Sequence, residues 1–101
     1  MQSMDNLKKL GNLEKAGQDS WKKFQDFSSA VMQEGAISVK HKELIALAVG
    51  LTTQCGYCLE LHRQAAEKAG ATQEEIAETV MIVGALRAGA ALTHGTQILA
   101  D

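Results

Sequence analysis

The sequence predicts an all-α fold. Three observations carry that expectation. The chain contains no proline, the residue that most sharply ends helices. Nowhere do β-branched and polar residues alternate over a useful length, as a half-buried strand requires. Apolar residues instead recur at intervals of three and four, the period of an amphipathic helix. With 101 residues, the chain suits one domain over 1–101, with a core over about 24–99 and an N-terminal extension over 1–18.

Taken in order, Leu7, Leu10 and Leu13 give a short first helix that Gly11 and Gly17 weaken. Trp21, Phe24, Phe27 or Ser28, and Val31 mark a second helix, stopped by Gly35. Ser38 caps a third, VKHKELIALAVGLTTQ, whose stretch Leu44 to Val49 is apolar all round, as in a buried helix. The fourth holds both cysteines and ends at Gly70. In TQEE, Thr72 and Glu75 form a capping box. It opens a long final helix from about Gln73 to Leu99. Small residues crowd its middle, from Gly84 to Ala91, and invite a second helix to approach closely. Gly84 and Gly89 could equally break it in two.

Composition narrows the function. The formal net charge is −2, and no basic stripe is interleaved with aromatics, so nucleic acid is not an expected partner. The start MQSMDNLKKLGN lacks a positive end followed by an apolar run, so it does not read as a secretory signal. No apolar stretch approaches the roughly 18 residues expected of a membrane span. The cytoplasm is the expected location. There, two close cysteines are more often catalytic or metal-binding than a structural staple. A chain this short buries a limited core, and many such chains gain further burial by oligomerising.

The segment TTQCGYCLELH, Thr52 to His62, concentrates the chemistry. On a helix, Cys55, Cys58 and His62 share one side with Leu59, Ala66 and Ala69. Glu60, Arg63, Gln64, Glu67 and Lys68 fill the other. Residues three apart have Cβ atoms about 5–6 Å apart, a gap that a small adjustment at the first turn closes to a disulfide. A helix starting near Cys55 also offers free N–H groups and its dipole to a thiolate. His62, one turn after Cys58, is placed to take its proton. Glu43 is the only acid between Gly35 and Tyr57, and lies in an apolar helix. Burial there would raise its pKa unless it is paired, and would let it pass protons. The rival readings are inert buried thiols and a tetrahedral zinc set of Cys55, Cys58, His62 and Glu43. A c-type haem needs histidine where Leu59 stands, and a thioredoxin-like site needs a βαβ context.

The stretches KELIALAVGLTTQCGYCLELH and AAEKAGATQEEIAE resemble the carboxymuconolactone decarboxylase superfamily, in its alkylhydroperoxidase D-like branch. The likeness runs from about Phe24 to Leu99. Its core is a glutamate, a cysteine twelve residues on, a second after three more and a histidine after another four: Glu43, Cys55, Cys58 and His62. The resemblance implies a compact helical fold, with the reactive C-x-x-C at the start of a central helix, assembled as homotrimers or homohexamers. It implies a Cys55–Cys58 pair cycling between dithiol and disulfide, with Glu43 and His62 as the proton relay. The substrate would be a hydroperoxide or a disulfide, and the electron donor a dithiol or lipoyl-type group. No bound cofactor and no metal are expected. One position departs from the pattern: Tyr57 stands where alkylhydroperoxidase D carries a histidine. The decarboxylase branch generally lacks the cysteine pair. A lyase acting on a small carboxylic substrate through His62 and Glu43, and a zinc-binding module without turnover, are the alternatives. His41 reads as a solvated residue near a helix start, and His94 as a possible subunit contact.

Overall fold

The computed structural model describes residues 3–101, which form helices and no strand. After a 3-10 turn over Met4–Lys9 come α1 (Leu10–Ala16), α2 (Gln18–Val31), α3 (Val39–Thr53), α4 (Gly56–Lys68) and α5 (Gln73–Gly95). A last 3-10 turn spans Thr96–Ile98. α3 is the hub: α4 packs on one side of it and α5 on another. α1 meets α2 across the one-residue break at Gly17, whose N–H bonds to the Leu13 carbonyl and whose carbonyl accepts the Trp21 N–H.

Local chemistry sets the boundaries. The Ser38 hydroxyl accepts the His41 N–H and starts α3. Gly70, at φ +100°, ends the turn after α4 in a conformation that glycine adopts without strain. The expected capping box is present: Thr72 Oγ1 accepts the Glu75 N–H, and the Glu75 carboxylate accepts the Thr72 N–H. The Lys42 ammonium donates to the carbonyls of Val31, at 2.8 Å, and Gln33, tying the end of α2 to α3.

Three expectations change. The expected first helix is a 3-10 turn followed by α1, with Gly17 separating α1 from α2. Gly84 and Gly89 do not break α5, which runs unbroken to Gly95. α3 is not buried all round: it buries Glu43, Leu47 and Gly50, while Ile45 and Val49 lie half in solvent. The stretch Gln73–Ile98 also meets the length and composition of a membrane span, through an 18-residue window with a mean hydropathy of 1.4. Its many alanines and short run of charges explain why no single apolar block stood out in the sequence.

The chain exposes far more surface than its mass requires. Its accessible area is 7792 Å², where a compact 10.8 kDa monomer exposes about 5,500 Å². The radius of gyration is 17.0 Å, against about 13 Å for a compact domain of this length. The α1–α2 arm, standing off the α3–α5 unit, accounts for the elongation.

The cap on α5 gives a direct check of this local reading. Thr72→Ala should cost about 1 kcal/mol, a fall of roughly 4–8 °C in Tm for a domain of this size. Thermal melting followed by circular dichroism measures it; an unchanged Tm would mean that α5 does not depend on its box.

Candidate active site

The four residues proposed from the sequence lie on α3, on α4 and at the turn between them as two contacting pairs, Cys55 with Cys58 and Glu43 with His62. α3 ends at Thr53, and Gln54 adopts the left-handed conformation, φ 57° and ψ 41°. That conformation is unusual for a residue with a side chain. It turns the chain so that the Gln54 and Cys55 N–H groups both bond to the Gly50 carbonyl, the latter at 3.0 Å. Cys55 is thereby delivered as the N-cap of α4 rather than as a residue within it. A thiol occupies the seat usually taken by Ser, Thr, Asp or Asn. Its Sγ accepts the N–H of Cys58 at 3.3 Å.

The two thiols, both free and half-buried, are polarised in opposite senses. A hydrogen bond from the Cys58 thiol, then one from its backbone N–H, holds Cys55 below the ordinary thiol range. The same bond between thiols, followed by burial and the charge of Cys55, pushes Cys58 up. Cys55 is thus the more acidic thiol of the pair and Cys58 the less acidic one, a division that the sequence left open.

Glu43 is only 8% exposed. A buried carboxylate is costly unless paired, and its partner is His62, whose Nδ1 lies 2.7 Å from Glu43 Oε2. With the carboxylate accepting, the ring proton sits on Nδ1, and Nε2 is left as a proton acceptor. Glu43 is therefore a buried, paired carboxylate and not a surface charge. Cys58 and His62 stand one turn apart on α4, as expected. The charged face of α4 is also as expected: Arg63 pairs with Glu60 at 2.7 Å and Glu67 at 3.1 Å. Among the described residues no three of His, Cys, Asp and Glu gather as a metal site.

Gly50 sets the distance between the helices. A Cβ there would lie 3.2 Å from Cys58 Cβ and 3.3 Å from Leu59 Cδ2. Two further contacts escape sequence reasoning. Arg87 of α5 donates from Nη1 to the Thr52 carbonyl at 2.8 Å, capping an orphan carbonyl of α3 three residues before Cys55. Asn6 donates from Nδ2 to the Tyr57 hydroxyl at 3.0 Å, so the N-terminal turn sits on the dithiol segment. The one signal in the sequence was Tyr57 itself, the departure from the motif.

Residues 18–101 match the carboxymuconolactone decarboxylase family. The chain belongs to that family. It is 40% identical over 91 residues to uncharacterised protein 4 in the cox locus of Paracoccus denitrificans, covering 90% of this chain and 82% of that one. A carboxymuconolactone decarboxylase family protein from Legionella pneumophila has a similar crystal structure, with a TM-score of 0.77 and 30% identity over 91% of this chain and 82% of that one. The alkyl hydroperoxide reductase AhpD of Streptomyces griseus is 36% identical over 59 residues, 58% of this chain but 33% of that protein. The AhpD-like affinity expected from the motif holds, and with it the all-helical fold.

The opposed thiols predict an order of reaction. As pH rises, Cys55 should alkylate first and Cys58 only above the ordinary thiol range of about 8.5. Peptide mass spectrometry of the reduced protein after limited iodoacetamide treatment reads the order. Equal labelling, or Cys58 first, contradicts the polarity.

Proposed function

We propose that this protein is a thiol-dependent oxidoreductase, reducing a hydroperoxide or a disulfide through Cys55 and Cys58. The observation that carries the reading is the polarised pair, with Cys55 Sγ on the Cys58 N–H at 3.3 Å. A two-thiol cycle needs one thiolate to attack and one thiol to wait.

The Cys55 thiolate attacks the distal oxygen of the hydroperoxide. The O–O bond breaks, the alkoxide takes a proton and leaves as alcohol, and Cys55 becomes a sulfenic acid. Cys58 then loses its proton toward Nε2 of His62, while Glu43 holds the resulting imidazolium. The Cys58 thiolate attacks the sulfenic sulfur, the S–S bond forms, and the departing hydroxide takes the proton as water. Two thiols are oxidised and one peroxide is reduced. A dithiol or lipoyl-type donor returns the disulfide to dithiol by exchange. A reducing compartment such as the cytoplasm keeps the resting pair reduced.

The Glu43–His62 pair on its own is also an acid–base dyad, which favours a lyase as the second reading. Peroxide consumption with dithiothreitol or dihydrolipoamide as donor separates the two. Glu43→Gln should lower turnover by about 10²–10⁴-fold with helix content kept, and replacing both cysteines by serine should abolish it. Full turnover in folded Glu43→Gln removes Glu43 from the relay; turnover surviving without cysteines removes the thiol mechanism.

A further inference from the structure

The first residues of the chain reach the dithiol. Among the described residues, hydrogen bonds join the segment 3–31 to α3–α5 at two places. One is the Lys42 ammonium on the Val31 carbonyl, beside the connection from α2 to α3. The other is Asn6, whose Nδ2 donates to the Tyr57 hydroxyl at 3.0 Å across 51 positions. Asn6 and Leu7 are the half-buried residues of the Met4–Lys9 turn, and the rest of that turn is exposed. This bond therefore fixes where the free end of the α1–α2 arm sits.

What it grips is the segment between the two cysteines. Three hydrogen bonds hold the Cys55 thiol below the ordinary range: from the Cys58 thiol, from the Cys58 N–H and from the Tyr57 N–H. Both cysteines are free, so this arrangement belongs to the dithiol. A disulfide brings the sulfurs to about 2.0 Å and the Cβ atoms to about 3.5–4.5 Å. Cys55 Sγ must then turn away from the backbone N–H groups and toward Cys58 Sγ. A disulfide sulfur carries no charge and accepts weakly, so α4 loses its N-cap. Gly56 and Tyr57 span the pair and absorb the movement. The Tyr57 ring moves with its backbone, and a hydrogen bond weakens steeply once its angle is spoiled.

We propose that Asn6 is a positioning residue for the redox pair: it binds the Tyr57 hydroxyl in the dithiol, loses it in the disulfide, and so biases the pair toward the reduced form. Such coupling is reciprocal. Docking of the N-terminal turn favours the dithiol, and oxidation releases the turn. The turn rests on Tyr57 while the thiols await their substrate, and it comes away from the disulfide that the donor must reach. This inference rests on the thiol reading above.

Equilibration with reduced and oxidised glutathione measures the bias. Cys55 and Cys58 give two electrons and two protons to oxidised glutathione. Its S–S bond breaks to two thiols as the Cys55–Cys58 bond forms. Alkylation and intact mass spectrometry read the fraction oxidised. Asn6→Ala and Tyr57→Phe should each raise the oxidation constant by about 2- to 10-fold, the worth of one hydrogen bond. The double variant should add nothing to either single one. Asn12→Ala, exposed in the same arm, should leave the constant unchanged. Trypsin gives the reciprocal readout at Lys8 and Lys9, both exposed. Cleavage there should be faster in the oxidised natural chain than in the reduced one, and equally fast in both states of Asn6→Ala. Circular dichroism checks that helix content is kept; if Tyr57→Phe loses it, Asn6→Ala carries the test alone. A constant that stays level or falls in a folded variant overturns the proposal and leaves the dithiol cycle intact. So do trypsin rates in the natural chain that ignore oxidation. A natural chain that forms no disulfide in oxidised glutathione removes the thiol reading, and this inference with it.

Discussion

The site depends on how closely α3 and α4 approach. Gly50 permits that approach, since any side chain there would press on the Cβ of Cys58 and the end of Leu59. From this crossing, Glu43 lies seven residues back along α3 and His62 four residues on along α4. The helices are antiparallel neighbours, so these two side chains meet. The buried carboxylate then has a partner, and the imidazole has a fixed tautomer. Losing His62 while the helices stay packed would leave the Glu43 carboxyl buried without a partner, which is costly. The geometry of the candidate site and helix packing are thus one constraint. It is imposed by a residue with no chemistry of its own.

The turn between the helices does the second half of the work. A left-handed Gln54 spends backbone strain of the order of 1–2 kcal/mol, and Cys55 emerges as an N-cap. A cysteine inside the helix would have had its N–H groups already satisfied and little to lower its pKa. At the cap, the Cys58 N–H points at its sulfur. The dithiol is polarised because the chain changes direction between its two members. Arg87 and Asn6 hold this turn from two distant parts of the sequence.

Helix order, the Thr72 box, the Ser38 cap and the Glu43–Cys55–Cys58–His62 set were legible because each is a local pattern or a fixed spacing. The position of Cys55 was less so: a helical wheel treats it as one more helical residue, whereas αL geometry at Gln54 is invisible to periodicity. The contacts of Asn6 with Tyr57 and Arg87 with Thr52 span 51 and 35 positions, and no spacing rule connects them. The apolar run from Leu44 to Val49 misled in a specific way. Its Ile45 and Val49 lie half in solvent, and hydropathy alone does not tell a buried face from an exposed one. The family match accounts for the fold, but it spans both thiol-dependent and decarboxylase-like members. The choice between those chemistries rests on the cysteine pair.

The central claim is a division of labour, with Cys55 attacking and Cys58 resolving. Trapping the first oxidised species tests it most directly. Each single cysteine-to-serine variant is treated with one equivalent of hydroperoxide and with dimedone, and the adduct is located by mass spectrometry. Cys58→Ser should accumulate the dimedone adduct on Cys55 rapidly at neutral pH, and Cys55→Ser should label Cys58 slowly. Faster labelling of Cys58 would reverse the roles and contradict the account of how the N-cap tunes this site.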